Sequence, residues 1–132
     1  MAVGEPGAWW DDDGLGHVNI FFREGQGSRW VQRGDTLYGE ENRDQFGSSL
    51  SLSGDGNTLS IGAPCNTGNG DYSGRVSVYR WDGVALNYNQ RGDVLGGKAE
   101  GDLFGWSLDL SSDGEVLAVG SPNNDSSGIW SG

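Results

Sequence analysis

Short apolar runs alternate with polar turn residues along the chain, a pattern that is typical of β-strands. Residues 48–53 read Ser-Ser-Leu-Ser-Leu-Ser, with a leucine at alternate positions, as in a strand with one buried face. Gly-Asp-Gly-Asn at residues 54–57 predicts a tight hairpin, because these residue types tolerate positive φ. Residues 58–61 then predict a returning strand, which Pro64 ends because proline has no N–H for the strand ladder.

Two further strands are predicted before the pattern begins again. The polar residues 66–73 predict a surface loop, and residues 74–81 alternate in the manner of a third strand. An Asp-Gly pair at residues 82–83 predicts a turn, and residues 85–90 predict a weaker fourth strand. One unit of the chain is therefore expected to contain four antiparallel strands.

The same unit occurs more than once. The Phe-Gly pair at residues 46–47 recurs at residues 104–105, which is 58 positions later. By direct count, residues 30–64 and 88–122 are identical at 18 of 35 positions without a gap. A fixed period of this size indicates one supersecondary unit that is copied along the chain.

The period divides the chain into three parts and indicates its architecture. Residues 1–29 are the end of one unit, residues 30–87 are a full unit, and residues 88–132 are most of a further unit. Four antiparallel strands in about 60 residues is the size of one β-propeller blade, whereas WD40 blades have about 45 residues. We therefore expect an all-β fold: a β-propeller fragment of about two four-stranded antiparallel blades, taken from a longer protein.

The motifs around the Phe-Gly pairs resemble a known family. After each pair, a predicted hairpin leads to Gly-Ala-Pro at residues 62–64 and to Gly-Ser-Pro at residues 120–122. This arrangement resembles the FG-GAP repeat of the integrin α-chain β-propeller. The flanking sequences, Gln-Arg-Gly-Asp-x-Leu-x-Gly and Ser-Gly-x-Val-x-Val-Tyr, are similar to FG-GAP-like repeats of large extracellular or surface proteins. The physical interpretation agrees: the phenylalanines would fill the space between neighbouring sheets, and the glycines would allow close packing between blades.

Composition and charge exclude some classes of partner. The chain contains 25 glycines and 3 prolines, and 19 acidic against 8 basic residues give a net charge of −11. This charge repels nucleic acid and anionic lipid surfaces and makes cations or basic partners more plausible. The longest apolar runs are far shorter than the roughly 18 residues of a membrane span, so we expect no direct membrane insertion.

No catalytic constellation is evident in the sequence. A single histidine and a single cysteine exclude the usual nucleophile–base arrangements within this chain. Cys65 aligns with Gly7 and Asn123 in the other units, which favours a small loop residue over a reactive thiol. Paired carboxylates for glycoside chemistry stay open because acidic residues are abundant. We expect a protein that is not an enzyme.

The resemblance raises the question of whether the chain binds calcium. Integrin-type blades bind calcium in an Asp-x-Asp-x-Asp-Gly loop between their first two strands, but the corresponding residues 53–57 and 111–115 are short and poor in carboxylates. The next loop of each unit is the acidic one. Its candidate ligands for weakly bound Ca²⁺ are Asp11, Asp12, Asp13, Asn69, Asp71 and Asp125. The alternative is a solvated loop whose Asx side chains hydrogen-bond their own backbone.

Two short features have a structural and a functional interpretation. Arg-Gly-Asp triplets occur at residues 33–35 and 91–93, and their common register favours a turn of the scaffold over a ligand recognised by integrins. Trp9, Trp10 and Trp30 are expected to pack between blades, with stacking against a sugar or a partner as the alternative.

The resemblance implies a non-enzymatic extracellular or cell-surface module for binding or adhesion. Its expected partners are a protein or carbohydrate ligand at the cell surface and the remaining blades of the parent propeller. The alternatives are the propeller portion of a secreted carbohydrate-active enzyme and a purely structural surface repeat.

Overall fold

The computed structural model describes residues 1–7, 15–25 and 27–124, and all regular secondary structure in them is β-strand. The first sheet contains β1 (Ala2–Glu5), β2 (His17–Arg23), β3 (Trp30–Gln32) and β4 (Leu37–Tyr38). The central sheet contains β5 (Ser49–Leu52), β6 (Thr58–Ala63), β7 (Arg75–Asp82), β8 (Asn87–Gln90) and β9 (Leu95–Gly96). The third sheet contains β10 (Ser107–Leu110) and β11 (Leu117–Gly120).

The central sheet shows how one unit is built. Strands β5, β6, β7 and β8 follow one another in chain order, and every neighbouring pair is antiparallel. The short strand β9 pairs with β7 beyond the end of β8, so this sheet has five strands where four were expected. The all-β prediction is confirmed, and the successive antiparallel sheets agree with a β-propeller fragment. In the part of the chain that the structure describes, no helix could cross a membrane.

The strands repeat with the period of the sequence. Strands β5 and β10 begin 58 residues apart, at Ser49 and Ser107, and β4 and β9 begin at Leu37 and Leu95, again 58 residues apart. Strand β8 spans the sequence boundary at residue 87, and the first and central sheets each contain strands from two consecutive sequence units. The copied sequence therefore forms a copied structure.

A cluster of fully buried apolar side chains lies between the first and central sheets. Val18 and Ile20 of β2 face Leu59 and Ile61 of β6, and each of the four has an exposed fraction of 1% or less. Phe46 joins this cluster from the segment before β5, as expected for a side chain that fills the space between neighbouring sheets. Burying each of these aliphatic side chains contributes about 1.5–3 kcal/mol of transfer free energy.

Strand β6 is buried on both faces. Its apolar side chains face the first sheet, whereas Thr58, Ser60 and Gly62 face the third sheet. A Cβ at Gly62 would lie 2.3 Å from the backbone oxygen of Gly105, closer than any real Cβ contact. The alternation of large and small residues therefore lets one strand pack against sheets on both sides.

The glycine of each Phe-Gly pair lies against a glycine of the preceding sheet. This contact occurs between the first and central sheets and again between the central and third sheets. A Cβ at Gly4 would lie 2.1 Å from the backbone oxygen of Gly47, just as a Cβ at Gly62 would lie 2.3 Å from that of Gly105. Gly47 and Gly105 have φ of +93° and +88°, a conformation that L side chains rarely adopt. The close packing expected of these glycines is confirmed.

We expect Gly62→Ala to lower the free energy of unfolding by about 1–3 kcal/mol, because its methyl group would push the third sheet away. Gly120→Ala is the matched control. It occupies the same repeat position, but the atom nearest to its Cβ would be the movable hydroxyl of Ser107 rather than the backbone of another sheet, so we expect a change below about 0.5 kcal/mol. Chemical denaturation of both variants tests this, and equal destabilisation would contradict the packing account.

Candidate functional site

Arg33 connects the first sheet to the central sheet. It follows β3, and its guanidinium donates hydrogen bonds to the carbonyl oxygen of Gly56 at 2.8 Å and to Oδ1 of Asn57 at 2.9 Å. Both acceptors belong to the β5–β6 hairpin. Because the guanidinium presents several N–H groups in a fixed plane, one side chain bonds two residues of the neighbouring hairpin.

Two aromatic rings surround the same guanidinium. Its carbon lies 4.2 Å from the ring centre of Trp81 and 5.7 Å from that of Tyr88, within the range of cation–π attraction. The two rings contact each other edge to face, with centres 5.2 Å apart. Burial raises the pKa of Tyr88, and the charge of Arg33 opposes this shift. The phenol therefore stays protonated and can donate its hydrogen bond to Gly56.

The rest of the first Arg-Gly-Asp triplet is also bound to the central sheet. The backbone N–H of Asp35 donates to Oδ1 of Asn87 at 3.0 Å, and Nδ2 of Asn87 donates to the Asp35 carboxylate at 2.8 Å. Gly34 turns the chain between them with φ of +78°. This triplet is a turn that joins two sheets, as its register suggested.

The second triplet has fewer contacts. The Arg91 guanidinium lies 3.5 Å from a carboxylate oxygen of Glu115, which corresponds in the repeat to Asn57, and 41% of the Arg91 side chain is exposed. Asp93 is exposed and hydrogen-bonds to no described residue through its side chain. The two triplets therefore share a turn but differ in how tightly they are bound.

A cleft of about 310 Å³ opens beside the Arg33 contacts, between the first and central sheets. Trp30 lines it with 48% of its surface exposed, so this tryptophan is not fully packed between blades. The other lining residues include Phe22, Arg33 and Tyr88 together with residues 53–56 of the β5–β6 hairpin. A cleft of this volume with an exposed aromatic side chain and several polar groups has the size and chemistry of a ligand site.

The candidate calcium ligands are only partly described. Asp11, Asp12, Asp13 and Asp125, like Trp9 and Trp10, lie outside the described residues. Asn69 uses its amide nitrogen to donate to the carbonyl oxygen of Gly97 at 2.8 Å, and Asp71 is exposed. Within residues 1–7, 15–25 and 27–124, no group of three or more His, Cys, Asp or Glu side chains could hold a metal ion.

Asn66, in the same loop, is buried but does not complete a calcium site. Its Oδ1 already accepts the N–H of Gly68 at 3.1 Å. Its buried amide nitrogen has no hydrogen-bond partner among the described residues, and this donor cannot ligate a cation. The side-chain chemistry of the described part of this loop therefore gives calcium little support.

The carboxylates of the β-hairpins accept hydrogen bonds from residues of their own turns. Asp55 accepts hydrogen bonds from the Ser53 hydroxyl at 2.7 Å and from the Asn57 N–H at 2.9 Å. Asp113 repeats this with Ser111 and Glu115. The hydroxyl bonds from Ser53 and Ser111 are the main reason why the pKa of each carboxyl lies below its usual value of 3.8. These are turn-forming residues, as the Asp-Gly pairs predicted.

A repeated buried aspartate was missed by the sequence analysis. Asp44 and Asp102 are each 2% exposed and lie two residues before the Phe-Gly pairs. Asp44 accepts the N–H of Phe46 at 2.8 Å, and Asp102 accepts N–H groups of the preceding turn, from Lys98 at 2.9 Å and Ala99 at 3.0 Å. Burial raises the pKa of Asp44. Their identity across the period was the signal that could have revealed them.

Comparison with family models gives a match in the centre of the chain. Residues 39–79 match the family model described as FG-GAP repeat. This range runs from the turn that contains Asp44, through β5 and β6, into β7. A search of curated proteins found no significant match to the chain.

We expect Arg33→Ala to lower the free energy of unfolding by about 1–3 kcal/mol, since it removes three hydrogen bonds, to Gly56, Asn57 and Tyr88, and the stacking on Trp81. The control is Arg91→Ala, at the same position of the next repeat. Its exposed ion pair should contribute less than about 1 kcal/mol. Urea denaturation compares the variants. If Arg91→Ala lowers the free energy of unfolding as much as Arg33→Ala does, the two triplets are bound equally tightly and the prediction is wrong.

The hairpin carboxylates predict a pH dependence of stability. A folded-state pKa below the unfolded value gives stability that is present above pH 3.8 and is lost as the pH falls through the folded pKa. Asp55→Ala/Asp113→Ala should therefore melt at a lower temperature than the parent at pH 7. The difference should shrink as the pH falls below 3.8. Melting curves across this pH range are the measurement. A difference in melting temperature that stays constant with pH would show that the ionised carboxylates are not its cause.

Proposed function

Because this chain is an FG-GAP-like repeat protein, we propose that it is a non-enzymatic binding and adhesion module of an extracellular or cell-surface protein. The proposal combines the family match with the propeller-type scaffold. In this proposal the sheets provide a rigid support, and a protein or carbohydrate ligand binds at the clefts and loops between them.

The cleft that exposes Trp30 is the observation that carries the proposal. It has a volume of about 310 Å³, and its walls combine aromatic residues with polar residues such as Arg33 and Asp55. An aromatic face can stack on a sugar ring or receive an apolar peptide side chain, and the nearby polar groups orient either ligand. Arg33 also lines the cleft, and its hydrogen bonds to the β5–β6 hairpin hold the two sides of the cleft together.

We expect the full chain to bind at least one component of an array of printed glycans and extracellular-matrix proteins. Trp30→Ala should reduce that binding by about tenfold or more, because an aromatic anchor in a cleft carries a large share of binding free energy. Trp106→Ala is the matched control, since Trp106 is 56% exposed and does not line this cleft.

The array also separates the alternatives. Release of cleaved glycan would favour the propeller portion of a carbohydrate-active enzyme. Absence of binding throughout the array, or equal binding by Trp30→Ala, would overturn the proposal for the cleft and favour a purely structural surface repeat.

We also propose weak Ca²⁺ binding at the loop that contains Asp11, Asp12 and Asp13, with Asn69, Asp71 and Asp125 at the corresponding loops. Its support is the chemistry of the sequence, since adjacent carboxylates repel one another and a cation relieves this repulsion. Calorimetric titration of the parent should give a dissociation constant of about 1 mM or below.

The triple variant Asp11→Ala/Asp12→Ala/Asp13→Ala should weaken this calcium binding. Asp93→Ala is the control for the general effect of removing an exposed carboxylate. A flat titration of the parent would refute the calcium proposal and leave the ligand-binding proposal unaffected.

A further inference from the structure

A second cavity lies within the central sheet, and it shares no lining residue with the Trp30 cleft. It has a volume of about 210 Å³ and lies between the loop that joins β6 to β7 and the short strand β9. The residues that give it its chemistry are Asn66, Asn69, Arg75, Val94 and Gly96. We call this space the Asn66 cavity.

Asn66 brings an unpaired hydrogen-bond donor to this cavity. The residue is 2% exposed, and its Oδ1 accepts the N–H of Gly68 at 3.1 Å. Its Nδ2 has no hydrogen-bond partner among the described residues. Buried polar groups in folded proteins almost always have a partner, so this nitrogen requires an acceptor from outside the described chain.

The first sheet has a tyrosine at the position of Gly96. Gly96 pairs with Arg75, and 58 positions earlier Tyr38 pairs with His17. The rings of Tyr38 and His17 lie 6.0 Å apart, so a side chain at this position reaches the residue on the neighbouring strand. A Cβ at Gly96 would point to Asn69, 2.8 Å from its Nδ2, and thus into the cavity. The space therefore belongs to this unit and is not a general feature of the repeat.

The polar groups of the cavity favour an uncharged ligand. The Arg75 guanidinium donates two hydrogen bonds to the Glu40 carboxylate, at 2.6 and 2.9 Å, which compensates its charge. The net charge of −11 also repels anions. Oδ1 of Asn69 accepts a hydrogen bond from no described residue. The cavity thus offers one donor and one acceptor, and a hydroxyl group can serve both because it donates as well as accepts.

We propose that the Asn66 cavity binds one neutral hexose residue of a glycan. One sugar hydroxyl accepts from Nδ2 of Asn66, another donates to Oδ1 of Asn69, and the half-buried Val94 contacts the C–H surface of the ring. Residues 67–69 are exposed, and a small shift of this segment opens the buried nitrogen to the ligand. This site is additional to the Trp30 cleft and does not depend on which ligand that cleft binds.

Ordered water is the simplest alternative occupant. Water also accepts from a buried amide, but the cavity has far more room than one water molecule needs. A hexose replaces several water molecules and brings its hydroxyl groups in a fixed arrangement. The two occupants differ in a measurable way, because only a ligand produces a saturable response to its concentration.

The test titrates the full ¹⁵N-labelled chain with D-glucose, D-galactose and D-mannose in separate experiments and records the side-chain amide signal of Asn66 by NMR. We expect at least one hexose to shift this signal saturably, with a dissociation constant of about 10 mM or below. The uronic acid of the same hexose adds a carboxylate and should bind at least about tenfold more weakly.

Two chain variants locate the site. Gly96→Tyr copies the residue of the first sheet, and the backbone accepts it because Gly96 does not have a positive φ. Its ring should occupy the cavity and weaken hexose binding by about tenfold or more. Val84→Tyr is the matched control, since Val84 is 95% exposed on the β7–β8 turn and does not line the cavity.

Asn66→Asp removes the donor and keeps the oxygen that accepts from Gly68. It should also weaken hexose binding by about tenfold or more, because its carboxylate cannot donate to a hydroxyl. Gln90→Glu makes the same amide-to-carboxylate change at an exposed residue of β8 and should bind as the parent does. This pair decides the question even if Gly96→Tyr does not fold.

Four results would overturn the proposal. Absence of a saturable shift with all three hexoses would assign the cavity to water, and equal binding of the uronic acid would assign it to anions. Unchanged hexose binding by Gly96→Tyr or Asn66→Asp would place the sugar elsewhere. Loss of hexose binding in Trp30→Ala would place it in the Trp30 cleft, so the two proposals fail separately.

Discussion

The structure depends on the close approach of glycine backbones between neighbouring sheets. Gly47 lies against Gly4 at the first junction, and Gly105 lies against Gly62 at the second. At this separation no side chain fits between the strands, and the inner ends of the sheets are held at one distance. A repeated junction of fixed geometry is what allows one sheet to follow another at a regular interval.

The other contacts extend this junction outward. Small polar side chains such as Ser49 and Ser51 form hydrogen bonds to the next sheet close to the glycines. Farther out, the apolar residues of β2 and β6 fill the space between sheets, and Arg33 bonds the outer turn to the next hairpin. The junction thus combines glycine contacts and hydrogen bonds with apolar and aromatic packing. The Trp30 cleft lies beside the Arg33 contacts.

Local sequence patterns were sufficient to predict the strands and turns. Alternation identified β5 and β7, and the Asp-Gly pair identified the hairpin whose carboxylate, Asp55, bonds its own turn. The period also identified the packing role of Gly47 and Gly105. These features depend on residues close in sequence or on identity at a fixed spacing, and both can be recognised in the sequence.

Contacts between distant residues were not recognisable in the same way. Arg33 meets Trp81 and Tyr88, roughly 50 positions along the chain, and neither aromatic residue reveals its partner through alternation. The extra strand β9 contains two residues, too few to form a pattern. Asp44 is polar and buried because backbone N–H groups compensate its carboxylate, and composition does not show such compensation.

The glycine contact between sheets is tested most directly by the nuclear Overhauser effect between glycine Hα protons across the two junctions. Backbones in van der Waals contact predict cross-peaks between Gly4 and Gly47 and between Gly62 and Gly105, both in the full chain in solution. Their absence from a folded chain whose strands β5 and β6 still give their own cross-strand peaks would contradict the glycine junction.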